Sequence, residues 1–277
     1  MSEPVGAGTN GSSSFEAQLG TTERDIDTAL RGANAAVREL KKALAAARTG
    51  QVRDLRKALA AAGTAAAVLA ADTGALAKGF DLDEQDALAS GAYVKELLAA
   101  AEAQGLAIVE EDNLLLCYPS LLRLLPAEAA IEIDKVRERR LRPSFLVAAL
   151  ARAQERDVRF KADAFLDSLR TAYELVVARD GKRVDGVVRL LDIWAVLTML
   201  PGQRTQYTKQ EFARDLYLLD RSGITRSGRS PRTLLWSAST ATKGTATGTL
   251  VTVARGGQQQ RYWGVAFTVA DAEPDRS

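Results

Sequence analysis

Thr249-Leu250-Val251-Thr252-Val253 and Tyr262-Trp263-Gly264-Val265-Ala266-Phe267 flank Arg255-Gly256-Gly257. The paired glycines supply the positive φ that a tight turn needs. Both flanks carry β-branched and aromatic residues, so the stretch predicts a β-hairpin with one apolar face. Upstream, Thr208 to Leu219 has the apolar spacing of a helix. Between helix and hairpin runs a loop with Arg221, Arg226, Arg229 and Arg232, continued by Thr240 to Thr249 with Lys243.

Composition narrows the chemistry. The 277-residue chain is 47% hydrophobic, enough for a real core in one large domain or two small ones. It has no histidine, which removes Ser-His-Asp and Cys-His nucleophile systems and His-ligated zinc. One cysteine, Cys117, excludes a disulfide framework and any multi-cysteine metal site. Net charge is only +2, but it is segregated. Met1 to Asp134 carries 12 Lys/Arg against 20 Asp/Glu, and Lys135 to Arg261 carries 24 against 12. That asymmetry points to an acidic partner for the basic half.

Met1 to Gly20 is rich in Gly, Ser and Thr and reads as a flexible tail. Thr21 or Thr22 is expected to open a helix whose apolar seam is Ile26, Leu30, Ala33, Val37, Leu40 and Leu44. Thr49-Gly50 interrupts it, and Val52, Leu55, Leu59, Ala62, Ala66 and Leu69 form a second seam. Two seams about a Gly turn predict an antiparallel, Ala-rich helical hairpin. It serves either as its own bundle or as a docking arm. Leu59 to Ala77 holds one charge, Asp72, but alanine is too weakly apolar to drive insertion, so no membrane span is expected.

Asp81, Asp83, Glu84 and Asp86 suit a helix N-terminus better than a Ca²⁺ loop, whose other ligands are missing. The helix they start is expected to reach Gln104 and stop at Gly105. A second hairpin is expected from Leu106–Val109 and Leu114–Tyr118 about the acidic turn Glu110 to Asn113. That turn repels phosphate. Leu121 to Leu125 suggests a short helix or strand, and Ile131 with Ile133 a strand. Helices follow over Phe145 to Arg156, Ala162 to Ala178 and Val187 to Leu200.

The Arg loop combines guanidinium forks with hydroxyls and bare Gly amides, the donor set that follows a phosphate backbone. Arg255 at the hairpin tip and Arg261 beside it extend the set. The competing reading is a solvated loop. A further basic run, Arg137, Arg139, Arg140 and Arg142, is either a second phosphate contact or the partner of acidic residues at Asp81 to Asp86 or Glu110 to Asp112; the second is favoured. Asp180-Gly181-Lys182 has the Asp-x-Lys spacing of metal-dependent nucleases, but its flanks are helical and Asp-Gly is a common turn. Thr242 to Gly248 lacks the Gly-Lys-Ser/Thr ending of a phosphate loop. Trp194, Trp236, Trp263, Tyr217 and Tyr262 have the spacing of core residues more than of base-stacking ones.

The class that emerges is α+β, mainly α. A tail (1–20) precedes a helical arm (21–78), a first helix-plus-hairpin module (79–134), a helical region with a second such module (135–270) and a short tail (271–277). Helix followed by hairpin is the winged-helix pattern. Tandem winged helices behind a coiled arm resemble, in architecture alone, the accessory subunits of chromosome-structuring ATPase complexes. The expected function is a non-enzymatic, cytoplasmic, bacterial DNA-binding subunit of a multi-protein complex, with weak sequence preference and no cofactor. The protein partner binds the arm, with a homodimer as a further option. The alternative is a scaffold or adaptor, an accessory subunit of an ATPase or nuclease complex that does not touch DNA.

Overall fold

The computed structural model describes residues 14–156, 158–228, 230–237 and 248–269. The fold is mixed α+β and mainly helical, with an N-terminal helical region followed by antiparallel sheets. Two compact units result, residues 1–99 with 126–129 and 140–146, and residues 100–125 with 130–139 and 147–277.

In the first unit, α1 (Phe15–Thr49) and α2 (Val52–Gly79) pack along one another as an antiparallel pair. Gly50 links them at φ 72°, the left-handed conformation that ends a helix at little cost only in glycine. The helix begins earlier than expected. Ser14 is its N-cap, accepting from the Ala17 amide at 3.1 Å, and Thr22 lies inside the helix, returning its hydroxyl to the Gln18 carbonyl. Residues 15–20 are therefore helix with Ser14 as their cap, and residues 1–13 of the expected tail lie outside the described residues.

The packed seam also differs from the expected one. Ala29, Ala36, Ala43 and Ala46 are buried against Ala58 and Ala62, with Leu55 and Leu69 half-buried on the same side of α2. Small side chains let the two backbones approach closely, and the large residues of the expected α1 seam are left facing outward.

The acidic run does start a helix. Asp83 caps α3 (Glu84–Ala89), accepting from the Asp86 amide at 2.8 Å. The expected continuous helix is broken at Ser90-Gly91, and α4 (Ala92–Ala103) follows. Tyr93 of α4 meets Phe15 edge-on, with ring centroids 5.2 Å apart, and its hydroxyl donates to the Leu141 carbonyl. Pro143 is the first residue of α5 (Pro143–Glu155), where its missing N–H is not needed.

Among its described residues the second unit holds three sheets. The expected second hairpin is the start of a five-stranded antiparallel meander, β1 (Val109–Glu111), β2 (Leu114–Cys117), β3 (Ser120–Leu125), β4 (Ala130–Ile133) and β5 (Val136–Glu138). Its first turn is two residues, Asp112 and Asn113, not four; both have positive φ, as do Asp134 and Lys135 between β4 and β5. β5 lies in the charged run, which showed no strand pattern in the sequence.

Helix α6 (Ala162–Asp180) precedes β6 (Val188–Arg189) and α7 (Leu190–Leu197). The expected helix over 187–200 is thus split, because Val188 pairs with Val265. Then come α8 (Gln203–Gln206), α9 (Lys209–Ser222) and β7 (Arg232–Ser237), followed by β8 (Leu250–Val253), β9 (Gln259–Tyr262) and β10 (Gly264–Val269). The hairpin is real, but its second arm is β9, with Val253 opposite Gln259 and Leu250 opposite Tyr262. After Trp263 the chain enters another sheet, ordered β6-β10-β7, in which Phe267 faces Leu234.

The core of this unit joins Leu166, Leu169, Tyr173 and Val176 of α6 to Ile193, Phe212, Leu216, Val265 and Phe267, all almost fully buried. Complete burial of one such side chain is worth about 1.5–3 kcal/mol.

Candidate nucleic-acid interface

The loop after α9 is pinned at two points. The Leu234 amide donates to the Thr225 carbonyl at 2.8 Å, laying the loop beside β7. Buried Ser227 donates its hydroxyl to Asp167 Oδ1 at 2.6 Å, holding it on α6. Between these anchors Arg226 is exposed, its guanidinium 3.2 Å from Thr233 Oγ1. Arg232 opens β7 and reaches the Val184 carbonyl at 3.4 Å, an oxygen that also accepts from the Tyr173 hydroxyl at 2.9 Å. Arg183, adjacent in the chain to Val184, is exposed. Val184, whose carbonyl Arg232 reaches, brings the neighbouring Arg183 to the same stretch, although in the sequence it is only the residue that follows an Asp-Gly-Lys turn.

Arg255 and Arg261 belong to the β8–β9 hairpin, which lies on α9. The Tyr262 hydroxyl donates to Asp220 Oδ2 at 3.0 Å, and the Arg255 amide donates to the Tyr217 hydroxyl at 3.2 Å. Burial, reinforced by the Asp220 charge, pushes the Tyr262 phenol well above its ordinary pKa, so it stays a donor. Since strand neighbours point to opposite faces, Arg261 faces away from α9, beside Gln259 at 3.4 Å. Arg221 is exposed in the last turn of α9. The expected site therefore falls into two groups, Arg226 with Arg232 and Arg255 with Arg261, plus Arg221. Arg229 and Lys243 lie outside the described residues.

These guanidinium groups share one electrostatic property. Among the described residues, none of Arg183, Arg221, Arg226, Arg232, Arg255 or Arg261 holds an ion pair. Other arginines of the second unit are committed, Arg170 to Glu174, Arg179 to Asp180, Arg189 to Asp192 and Arg214 to Asp134, while among the described residues Arg139, Arg152, Arg156, Arg159 and Arg204 share the freedom from ion pairs.

The secondary basic run is not one patch. Arg137 stands opposite Glu132 across the β4–β5 ladder, and Arg139 follows β5. In the first unit, Arg140 stacks over the Phe145 ring at 4.6 Å, and Arg142 pairs with Glu16 at 2.7 Å and Glu23 at 2.6 Å. A carboxylate partner for Arg142 was expected, but it comes from α1 rather than from Asp81 to Asp86 or Glu110 to Asp112.

Helix α9 itself is occupied internally. Thr208 and Glu211 form a full capping box, and Glu211 also pairs with Lys135 at 2.8 Å. Gln210 donates to Asp112 at 2.9 Å and Arg214 to Asp134 at 3.2 Å. Asp215 accepts from the Tyr207 hydroxyl at 2.8 Å, and burial raises its pKa despite the adjoining Arg214. With Phe212, Leu216 and Leu219 buried as well, this helix has few side chains left for reading base edges.

The remaining motifs resolve simply. Hydrogen bonds from Arg179 and then Lys182 hold the Asp180 carboxyl at about 2, at the end of a helix. Among the described residues no group of three His, Cys, Asp or Glu side chains could hold a metal. Cys117 is buried, and desolvation pushes its thiol up to about 12. Trp194, Tyr217 and Tyr262 are in the core, with Trp236 packed 5.2 Å from Tyr262. The stretch Val52–Ala89 is, by length and composition alone, apolar enough to cross a membrane.

Compared with known proteins, the chain matches no family model, no curated protein and no solved structure.

Proposed function

We propose that this protein is a non-enzymatic DNA-binding subunit of a multi-protein complex. Its contact groups are Arg183, Arg226 and Arg232 around the start of β7, with Arg255 and Arg261 on the hairpin. The observation that carries this reading is their freedom from ion pairs beside neighbours that are paired. An exposed guanidinium with no carboxylate can donate two parallel hydrogen bonds to a phosphate without first breaking a salt bridge.

A winged-helix reading of this part of the chain is supported by the order α6, β6, α7, α9, β7, β10, with the last strand central in its sheet. The β8–β9 hairpin, set between β7 and β10, takes the place of the wing. Because α9 spends its polar side chains internally, binding follows the backbone and sequence preference is weak.

The test is a salt series of fluorescence anisotropy on a labelled duplex. Log affinity should fall steeply with log salt, and each lost Arg contact should lower the slope by about one unit. Full-length protein with no salt-dependent binding would end this reading.

A second reading, an adaptor that binds protein without DNA, is favoured by one observation. Five large apolar residues of α1 stand about half exposed on the helical arm.

A further inference from the structure

The arm closes through alanine and leaves its larger residues unused. Ile26, Leu30, Val37, Leu40 and Leu44, with Ala33 between Leu30 and Val37, recur at alternating steps of four and three, yet each of the five large residues is 47–57% exposed. At ~100° per residue this stripe lies roughly a quarter turn from the seam of Ala29, Ala36 and Ala43. On α2, Val52 and Leu59, also about half exposed, lie the same angle in the same sense from Ala58 and Ala62. In an antiparallel pair, equal offsets of the same sense fall on one face. One side of the arm is therefore a continuous apolar surface, ~27 Å long on α1. Soluble monomers rarely leave such a patch uncovered.

We propose that this face docks a second copy of the chain, the two α1 helices running antiparallel about a two-fold axis near Ala35. This goes beyond the phosphate-contact reading and does not rest on it. It gives the adaptor surface an occupant, and the charges beside the stripe choose that occupant. The position that flanks the stripe on its open side is Asp27, then Asn34, then Lys41, all exposed; Asp27 also touches Arg31 of its own helix at 3.1 Å, an exposed pair worth little that leaves the carboxylate open to a second cation. In an antiparallel pair these positions oppose one another. Asp27 meets the partner's Lys41, Asn34 meets the partner's Asn34, and the attraction is made twice. A parallel pair would set the same charges beside Thr22 and Ala36 and gain nothing. The apolar residues match under the same symmetry: Ile26 meets the partner's Leu44, and Leu30 the partner's Leu40. Beside the α1 ridge, α2 presents Gly63, Ala66 and Ala70, all exposed and small, a floor on which the opposing ridge can lie. The contact is self-complementary, as a two-fold interface must be.

Sedimentation velocity on the full chain tests this. The wild type should sediment as a concentration-dependent species of twice the 29.7 kDa chain mass. L30E/L40E should be monomeric with unchanged helical circular dichroism, since both positions are outside the core of one copy, and its melting temperature should no longer depend on concentration. D27K and K41D should each weaken the dimer by about tenfold, and D27K/K41D should restore it. A wild type that stays monomeric up to its solubility limit overturns the proposal, as does a dimer that survives L30E/L40E. Loss of the dimer in both single charge variants without recovery in the double overturns the antiparallel arrangement. Monomer that floats with phosphatidylcholine/phosphatidylglycerol vesicles, and fails to do so as L30E/L40E, would make the face a membrane surface and overturn the proposal too.

Discussion

The Glu16 carboxylate accepts from Arg142 Nε at 2.7 Å while its second oxygen takes the Ser144 amide at 3.0 Å. Ser144 adds its hydroxyl at 2.9 Å. One side chain in the first turn of α1 thereby ties that helix to the start of α5, more than a hundred residues later. The negative charge also sits where the α1 dipole favours it. Arg142 is completed by Glu23, so the strongest basic run in the sequence contributes at this position to folding.

Acid should loosen this tie. Burial pushes the Glu16 carboxyl up, but the Ser144 and Arg142 hydrogen bonds outweigh it and leave the folded pKa lowered. A group lowered on folding adds stability above its unfolded pKa and loses it as pH falls through the folded value, which here lies below the ordinary glutamate range. Thermal melts at decreasing pH should show the loss, and Glu16→Gln should flatten that part of the profile. At neutral pH the same substitution should cost about 1–2 kcal/mol, reduced by the partial exposure of the pair.

Glu96 should control the first turn of the long helix. Its carboxylate accepts from the Phe15 amide at 2.8 Å and the Glu16 amide at 2.7 Å, two of the four N–H groups a helix cannot satisfy itself. Glu96→Ala should cost about 1 kcal/mol, as loss of a cap does. Hydrogen exchange of residues 15–20 should accelerate several-fold while the α1–α2 contact region keeps its protection. Unchanged exchange there would show that Ser14 alone suffices.

That capping also explains what the sequence hid. The start of α1 was invisible because half of its cap comes from a residue some eighty positions away. The arm itself was legible from its periodicity and from Gly50, but periodicity cannot say which of two adjacent stripes faces the partner helix. Alanine won because it permits closer approach. The tip at Arg255 to Gly257 was legible as well. Its second arm was misassigned because Gln259 to Arg261 is polar, β9 burying only one face, whereas the apolar run after it is buried on both faces against other elements. Among the site residues, types and positions could be read directly. Their division into two groups, and the inclusion of Arg183, depend on the path of the chain between α6 and α7, for which no local pattern exists.

Gly257→Ala should disturb the hairpin tip. Gly257 has φ 83°, and a Cβ placed there would come 2.5 Å from Ala107 Cβ. The left-handed conformation alone costs a non-glycine residue about 1–2 kcal/mol, and relieving the overlap requires the tip to lift from residue 107. A loss of at least about 2 kcal/mol is expected in chemical denaturation. Faster exchange at Leu106 to Val109 should accompany it. Gly256→Ala is the comparison: its Cβ would meet only the movable end of Gln258, and it should cost far less.

The last prediction separates free guanidinium groups from committed ones. Arg226 and Arg189 are both exposed and belong to the same unit. Arg189, however, grips Asp192 through two hydrogen bonds of 3.0 Å, whereas Arg226 meets only the Thr233 hydroxyl. Moving Arg189 onto a phosphate would strand a carboxylate beside a polyanion; moving Arg226 breaks one neutral bond. Arg226→Ala should therefore lower the slope of log affinity against log salt by about one unit, and Arg189→Ala should leave it unchanged. Equal effects from the two would mean that binding reads net charge alone and that the groups around β7 have no special part in it.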